Sequence, residues 1–192
     1  MIGGNTMLTD KEKQIIDEKM GFIKKTIKGL KHYDDPVKLA IEIDNWVKDI
    51  SFFYDKLVPD GVDPSKIFYR IDPSKRPKEG QIAYINLRRG YPKEARDGHW
   101  CYILKDYGSK YIIIPSTSIK EYSSPCNTTC EMDIIDNTPN GTSRLHFSDT
   151  RSIDAMRVNT KVNPNFYDVK TPRKEIIDNL MKSMLDVNED EC

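Results

Sequence analysis

The first third of the chain has apolar residues at helical spacing, separated by charged and polar ones. One series follows Thr9 and Glu12, which have the spacing of a capping box, and a second follows Asp35-Pro36, a helix-start signal. In order, the two series are Ile16, Met20, Ile23, Ile27 and Leu30, and then Leu39, Ile43, Trp46, Ile50, Phe53 and Leu57. Residues 1–58 are therefore predicted to form a hairpin of two amphipathic helices.

The pattern changes after a stretch that contains four prolines. Proline at positions 59, 64, 73 and 77 forbids a regular helix, so residues 59–79 are predicted to be an extended connector. Short apolar runs separated by turn residues then predict strands at 82–87, 100–104, 111–114, 131–135 and 144–147, with the spacing of a small barrel. A last helix is predicted after Thr171-Pro172, with Ile177, Leu180, Met181 and Met184 directed inward. The fold class is thus α+β, with the barrel and C-terminal helix in residues 80–192.

Composition and charge exclude only a few classes of binding partner. The 192 residues carry 30 basic and 30 acidic side chains, so no global field directs the protein to nucleic acid or to an anionic membrane. Nowhere do eighteen apolar residues run together, and the first residues have no secretory apolar region. We expect a cytoplasmic protein without a membrane partner.

The four cysteines do not have the spacing of a disulfide framework or of a metal site. They are Cys101, Cys126, Cys130 and Cys192. We therefore expect free thiols in a reducing cytosol and no bound metal.

Two of the three histidines stand in predicted strands near turn signals. His99 opens the strand 100–104, and His146 lies where alternation places Leu145 and Phe147 on the opposite face. Histidine takes up or releases a proton near pH 6.5, so both are candidates for proton transfer. His32, between the predicted helices, is expected to be structural or exposed.

Three segments of the β half form an ordered set of motifs. Residues 80–87 read GQIAYINL and precede a polar loop with Glu94, residues 111–118 read YIIIPSTS, and residues 149–157 read DTRSIDAMR. Together they resemble the MazF/PemK family of toxin ribonucleases from type II toxin–antitoxin modules, over about residues 80–185. The resemblance implies a small SH3-like barrel with a C-terminal helix and a homodimer. It also implies cleavage of single-stranded RNA without a cofactor and neutralisation by a cognate antitoxin protein.

The resemblance also implies a reaction and a set of residues. In this family the 2′-hydroxyl of the RNA attacks the adjacent phosphate and leaves cyclic phosphate and 5′-hydroxyl ends, which requires a base, an acid and donors to the phosphate. His99 and His146 occupy two positions where family members carry arginine, and Thr117 matches the catalytic hydroxyl. We predict that the two histidines share the acid and base roles while Thr117 holds a phosphate oxygen. The predicted substrate-binding residues are Arg88, Arg89, Lys93, Glu94, Ser118, Ser148 and Asp149. The residues predicted to form structural ion pairs are Arg151, Asp154 and Arg157.

The sequence leaves several alternatives open. His99-Trp100 replaces the family's Arg-Pro pair and Ser148 replaces an aspartate, so a non-catalytic RNA- or protein-binding module is the second hypothesis. A gyrase inhibitor is a weaker third, because related toxins use an apolar C-terminal end and residues 188–192 are acidic. The helical hairpin either packs on itself and the barrel, extends a dimer interface, or covers the RNA groove.

Overall fold

The protein divides into two compact units, Met1–Phe68 and Tyr69–Cys192, in a computed structural model. The structure describes residues 7–91, 93–124 and 129–185. The division falls inside the predicted connector, whose second half belongs to the β-rich unit. There Ile71 is buried in the core, and Arg76 pairs with Asp106 at 2.6 Å.

The first unit contains the two predicted helices, α1 Asp10–Gly29 and α2 Pro36–Phe52, followed by a π-helical turn at Phe53–Leu57. The capping box is present, because Glu12 N–H donates to Thr9 Oγ1 and Thr9 N–H donates to the Glu12 carboxylate. Asp35 caps α2, and Pro36 is its first residue. In α1 and α2, all of whose residues the structure describes, no residue is buried. No helix in the described part of the chain is long and apolar enough to cross a membrane.

The second unit contains, over its described residues, an antiparallel sheet of seven strands and a C-terminal helix. The strands are β1 Gln81–Asn86, β2 Gly98–Asp106, β3 Lys110–Ser118, β4 Glu131–Ile135, β5 Thr142–His146, β6 Arg151–Asp154 and β7 Phe166–Asp168, and the helix is α3 Arg173–Leu185. The strand order is β4-β5-β3-β2-β1-β7, and β6 pairs with the first half of β3. Short 3₁₀ turns lie at Pro64–Lys66, Pro73–Lys75, Phe147–Asp149 and Ala155–Arg157. All five predicted strands are confirmed. The strands β6 and β7 were not predicted, because they are too short for apolar and polar residues to show a clear alternation.

The α+β class is confirmed, but a closed barrel is not. The edge strands are β4 and β7, whose continuations meet at an isolated bridge between Asp136 and Val169. Asn137 N–H also donates to the Asp168 carbonyl at 2.9 Å. Closure requires a ladder of strand pairs, and none joins β4 to β7 in the described residues. The sheet is therefore open.

Two apolar clusters cover the two faces of this sheet. Neighbouring residues alternate between them, so that Cys101 and Ile113 belong to one cluster and Tyr102 and Ile114 to the other. The first cluster lies on the face that carries Thr117 further along β3, because residues two apart in a strand share a face. Along that face β3 changes from buried Ile113 to exposed Thr117.

Helix α3 packs on the second cluster with a face that matches the predicted one only in part, since the inward orientation of Leu180 is confirmed. Its buried residues are Ile176 and Leu180, which are four apart and lie on one side of the helix. Met181 and Met184 are 49% and 59% exposed, so their predicted inward orientation is wrong. The contact stripe of this short helix is shifted by one residue, from Ile177 to Ile176.

The cysteines differ from the expectation at one position. Cys130 is disulfide-bonded, and the expectations for Cys126 and Cys192 fall outside the described residues. The prediction of a free thiol is therefore wrong for Cys130, and a disulfide is uncommon in a reducing cytosol. Cys101 is free and buried, and burial raises the pKa of its thiol because the thiolate is poorly stabilised among apolar atoms.

Gly98 begins β2 against the ring of Tyr84. A Cβ at Gly98 would lie 2.6 Å from Tyr84 Cζ and 2.7 Å from Cε1, and that ring makes an edge contact with Trp100 at a centroid distance of 5.4 Å. We expect Gly98→Ala to lower the free energy of unfolding by about 1–3 kcal/mol, because the ring has to move. Urea unfolding measures this loss. The control is Gly21→Ala in α1, where nothing lies within 4 Å of the added Cβ and alanine favours the helix. Equal losses in the two variants would contradict the steric explanation.

Candidate functional site

Thr117, His146 and Glu131 form a hydrogen-bonded row across three strands, here called the catalytic row because the catalytic role proposed below rests on it. His146 Nε2 lies 2.9 Å from Thr117 Oγ1, and His146 Nδ1 lies 2.9 Å from Glu131 Oε1. Strand pairing creates the row, since Glu131 of β4 is directly opposite His146 of β5 and Thr117 of β3 is opposite Arg144 of β5. A hydroxyl, an imidazole and a carboxylate in this order allow the histidine to accept a proton while the carboxylate compensates the charge.

The carboxylate determines which nitrogen of His146 faces Thr117. An ionised carboxylate only accepts hydrogen bonds, so Nδ1–H donates to Glu131 and the lone pair of Nε2 faces the hydroxyl. The side chains of His146 and Glu131 are 24% and 30% exposed, and Thr117 is exposed. The proton-accepting nitrogen therefore lies toward the open end of the catalytic row.

Arg144 binds the carboxylates of β4 at this site. Its Nε lies 2.6 Å from Asp133 Oδ1, its Nη2 lies 3.0 Å from Asp133 Oδ2, and its Nη1 lies 3.7 Å from Glu131 Oε2. The Arg144 cation on β5 thus stands opposite the Asp133 carboxylate on β4, which is a favourable cross-strand arrangement. This network restricts the orientation of Glu131 before any substrate binds.

His99 lies near the catalytic row but is held differently. Burial lowers the pKa of His99, and His146 and Arg151 act in the same direction, against a hydrogen bond to the Arg96 backbone and the charge of Asp97. Its Nδ1 is buried and has no hydrogen-bond partner among the described residues. The lowered pKa favours the neutral ring at pH 7, and Nδ1 is turned inward rather than toward the open end of the row.

The lowered pKa of His99 predicts a pH-dependent stability. In the unfolded chain His99 titrates near pH 6.5, so below that pH the unfolded state binds more protons than the folded state and stability falls. We expect the free energy of unfolding to decrease between pH 7.5 and pH 5.5, and to decrease less in His99→Gln. Urea unfolding at both pH values measures the difference. The same change at exposed His32 serves as the control, and a His99→Gln variant with the wild-type pH dependence would contradict the assignment.

The predicted substrate-binding residues of the loop after β1 are not equivalent. Arg89 Nε pairs with Asp97 Oδ1 at 3.0 Å, and its side chain is only 5% exposed. The charge of Arg89 is therefore compensated by Asp97 and largely buried. Arg88 adopts a left-handed φ of 69°, and its carbonyl accepts from Asp97 N–H at 3.1 Å. Lys93 and Glu94 are exposed at the outer part of the loop.

The remaining predicted substrate-binding residues lie at the ends of β3 and β5. Ser118 is exposed, and its Oγ accepts from Asn140 Nδ2 at 2.9 Å. Ser148 is exposed in the 3₁₀ turn after β5. Asp149 Oδ1 accepts from Ala95 N–H at 3.3 Å, which ties this turn to the loop after β1.

The third motif stabilises backbone near the site. Arg151 Nη2 donates to the Ala95 carbonyl, and Arg157 Nη1 donates to the Leu87 carbonyl at 3.1 Å. Asp154 caps the 3₁₀ turn that follows β6. These contacts are hydrogen bonds to backbone groups rather than the ion pairs that were predicted, and those of Arg151 and Arg157 reach both ends of the loop after β1.

Glu131 and Arg144 are the residues of the site that the sequence interpretation did not assign. Each was predicted to begin a strand, but no role was given to either. The available signal was the alternation of Glu131 and Asp133 on one strand and of Arg144 and His146 on the next. Opposite charges at alternating positions of adjacent strands indicate cross-strand pairs.

No protein-family model matches the chain, and no curated protein is significantly similar to it. The resemblance to MazF/PemK toxins therefore rests on the three motifs. Glu131 belongs to none of these motifs, so its contact with His146 is not part of the resemblance. The described residues contain no group of three or more His, Cys, Asp or Glu that could hold a metal ion.

Proposed function

We propose that the protein is a metal-independent endoribonuclease that cuts single-stranded RNA by attack of a 2′-hydroxyl on the adjacent phosphorus. The observation that carries the proposal is the catalytic row of Thr117, His146 and Glu131. This row offers a proton acceptor with a compensating carboxylate, next to an exposed hydroxyl that can donate to a phosphate oxygen.

In the proposed reaction His146 carries the proton. Its Nε2 takes the proton from the 2′-hydroxyl, the 2′-oxygen bonds to phosphorus, and the bond between phosphorus and the 5′-oxygen breaks. The proton on His146 then passes to the departing 5′-oxygen, so the products are a 2′,3′-cyclic phosphate and a 5′-hydroxyl. Thr117 turns from Nε2 to donate to a non-bridging phosphate oxygen, and Glu131 compensates the charge of the imidazolium.

His99 has the secondary role in this proposal. It was expected to share the acid and base roles with His146, but burial lowers its pKa and its Nδ1 is buried without a hydrogen-bond partner among the described residues. We assign it a smaller contribution as an uncharged neighbour, which adds no repulsion against the imidazolium that forms on His146. Proton transfer therefore depends mainly on His146.

The other parts of the MazF/PemK resemblance belong to the same proposal. They are an SH3-like arrangement of the sheet, a groove for single-stranded RNA beside the loop after β1, a homodimer, a cognate antitoxin and a cytoplasmic location. Exposed Lys93 is the loop cation placed for a phosphate contact. Arg89 is less suited to that contact, because Asp97 already binds it.

The test is to incubate the purified protein with a long single-stranded RNA in EDTA and to map the new ends. The proposal predicts discrete cuts with 5′-hydroxyl and cyclic phosphate ends. Intact RNA in the presence of folded protein would contradict it and favour a non-catalytic binding module. Cuts that carry 5′-phosphates would contradict attack by the 2′-hydroxyl.

A further inference from the structure

A polar pocket of about 500 Å³ lies at the start of β7. Two segments form it, one that precedes β1 and one that connects β6 to β7. A volume of this size suits a nucleotide, because pockets for small molecules measure roughly 300–1,000 Å³. None of its lining residues belongs to the catalytic row or to the predicted substrate-binding residues. Those used below are Lys75, Thr160, Lys161, Val162 and Phe166.

Hydrogen bonds hold the two walls of the pocket in place. The Tyr84 carbonyl in β1 accepts from Asn159 N–H at 2.9 Å, and Tyr84 N–H donates to the Asn165 carbonyl at 3.0 Å. Loop 160–164 therefore leaves and rejoins the sheet at a single residue of β1. Asn165, only 6% exposed, also donates from Nδ2 to the Lys75 carbonyl at 2.8 Å, which connects the loop to the other wall. A ligand thus meets a pocket that already has its shape, which lowers the entropic cost of binding.

The pocket is a local excess of positive charge in a chain with equal numbers of acidic and basic residues. Its lining comes from residues 73–78 and 155–167, and neither stretch contains an aspartate or a glutamate. The basic residues of the two stretches are Lys75, Arg76, Lys78, Arg157 and Lys161, of which Lys75 and Lys161 line the pocket. A concave surface with cations and without carboxylates attracts anions.

Both lysines have N–H groups available for a ligand. Lys75 Nζ donates to the Thr160 carbonyl at 3.2 Å, which uses one of its three N–H groups. Neither Lys75 nor Lys161 forms an ion pair with a residue in the described part of the chain. The nearest acidic residue in sequence, Asp72, does not line the pocket and accepts from Ser74 N–H at 2.8 Å. Hydrogen bonds from Ser74, and to a smaller extent the charge of Lys75, lower the pKa of Asp72. Asp72 thus compensates Lys75 in part, and Lys161 keeps its full charge.

We propose that this pocket binds one nucleotide, with the phosphate held by Lys75 and Lys161 and the base against Phe166. Ammonium groups form strong, charge-assisted hydrogen bonds to phosphate oxygens, and the Thr160 hydroxyl adds a neutral donor. The ring of Phe166 and the side chain of Val162 supply the apolar surface that a base requires, since bases stack on aromatic rings. A free nucleotide and one unit of a single-stranded RNA present the same phosphate and base to these residues.

Nucleotide binding at this pocket goes beyond the proposed ribonuclease function. No bond forms or breaks in the pocket, and its test measures binding. A protein that cuts no RNA would still bind a nucleotide here, and an active ribonuclease could lack this binding. The two proposals therefore fail separately.

The test is isothermal titration calorimetry of the full chain with uridine 5′-monophosphate. We expect saturable binding of this nucleotide, and binding about tenfold or more weaker for uridine, which lacks the phosphate, and for inorganic phosphate, which lacks the base. The Lys75→Gln/Lys161→Gln variant should bind the nucleotide about tenfold or more weakly, because two charge-assisted contacts are lost. The matched control is Lys78→Gln, an exposed lysine of the same segment outside the lining, which should leave the affinity unchanged.

The source of the nucleotide is distinguished with a labelled single-stranded RNA, titrated into proteins that also carry His146→Ala so that the RNA stays intact. Equal losses of nucleotide and RNA affinity in the double lysine variant would show that the pocket takes a unit of a strand, and a loss for the nucleotide alone would show a free nucleotide. Urea unfolding checks that each variant is folded, and Lys161→Gln alone repeats the test without removing the Lys75 contact to Thr160. A wild type that does not bind the nucleotide would overturn the proposal. Nucleotide affinity that survives the lysine substitutions, or that uridine or inorganic phosphate matches, would overturn it as well.

Discussion

Replacing His146 by alanine is expected to lower the rate of RNA cleavage about 10²- to 10⁴-fold, the usual contribution of a general acid–base residue. His146 Nε2 lies 2.9 Å from Thr117 Oγ1 at the exposed end of the catalytic row, where a bound 2′-hydroxyl would replace the threonine. Alanine keeps the strand but removes the group that takes up and returns the proton.

The His146→Ala effect is measured as a single-turnover rate at one mapped cut site, with protein in excess over labelled RNA. His32→Ala is the control, because His32 is exposed between α1 and α2. Urea unfolding checks that the His146 variant is folded. A folded His146→Ala variant with the wild-type rate would remove His146 from the chemistry.

Replacing Glu131 by glutamine is expected to lower the cleavage rate on the order of 10²-fold. Glutamine has nearly the same size, but its amide can donate to Nδ1 and thereby leave the proton on Nε2. Nε2 then cannot accept a proton from the 2′-hydroxyl, and the charge that would stabilise the imidazolium is lost. Glu131 thus acts through His146 as a positioning residue.

The matched control for Glu131→Gln is Asp133→Asn on the same strand. Asp133 binds Arg144 but does not contact His146, so its variant tests the general effect of losing a β4 carboxylate. We expect kcat to fall in Glu131→Gln with KM nearly unchanged, and a clearly smaller loss of kcat in Asp133→Asn, which affects Glu131 only through Arg144. Equal losses in the two variants, or a loss confined to KM, would contradict the positioning role.

The parts of the fold that were predictable from sequence are those determined by local chemistry. The start of α1 follows from Thr9 and Glu12, whose side chains bond to backbone groups three residues away. The start of α2 follows in the same way from Asp35 and its proline. The buried face of α3 was predicted one residue away from its actual position. A short helix has several nearly equivalent apolar stripes, and only packing on the sheet selects Ile176 and Leu180.

The candidate site was predictable only where a single strand determines it. Alternation within β5 places Leu145 and Phe147 in the core and His146 on the opposite side, as the structure confirms. The contact between His146 and Glu131 depends on the register of two strands, which a pattern along one strand does not contain. The burial of His99, which lowers its pKa, likewise depends on residues far away in sequence.

The most direct test of 2′-hydroxyl attack uses an RNA in which the nucleotide before one mapped cut has a 2′-hydrogen instead of the hydroxyl. The wild-type protein in EDTA is predicted to leave that position intact and to cut every other site of the same RNA at its usual rate. Cleavage at the modified position would show that another nucleophile attacks the phosphate, and it would contradict the mechanism assigned to Thr117, His146 and Glu131.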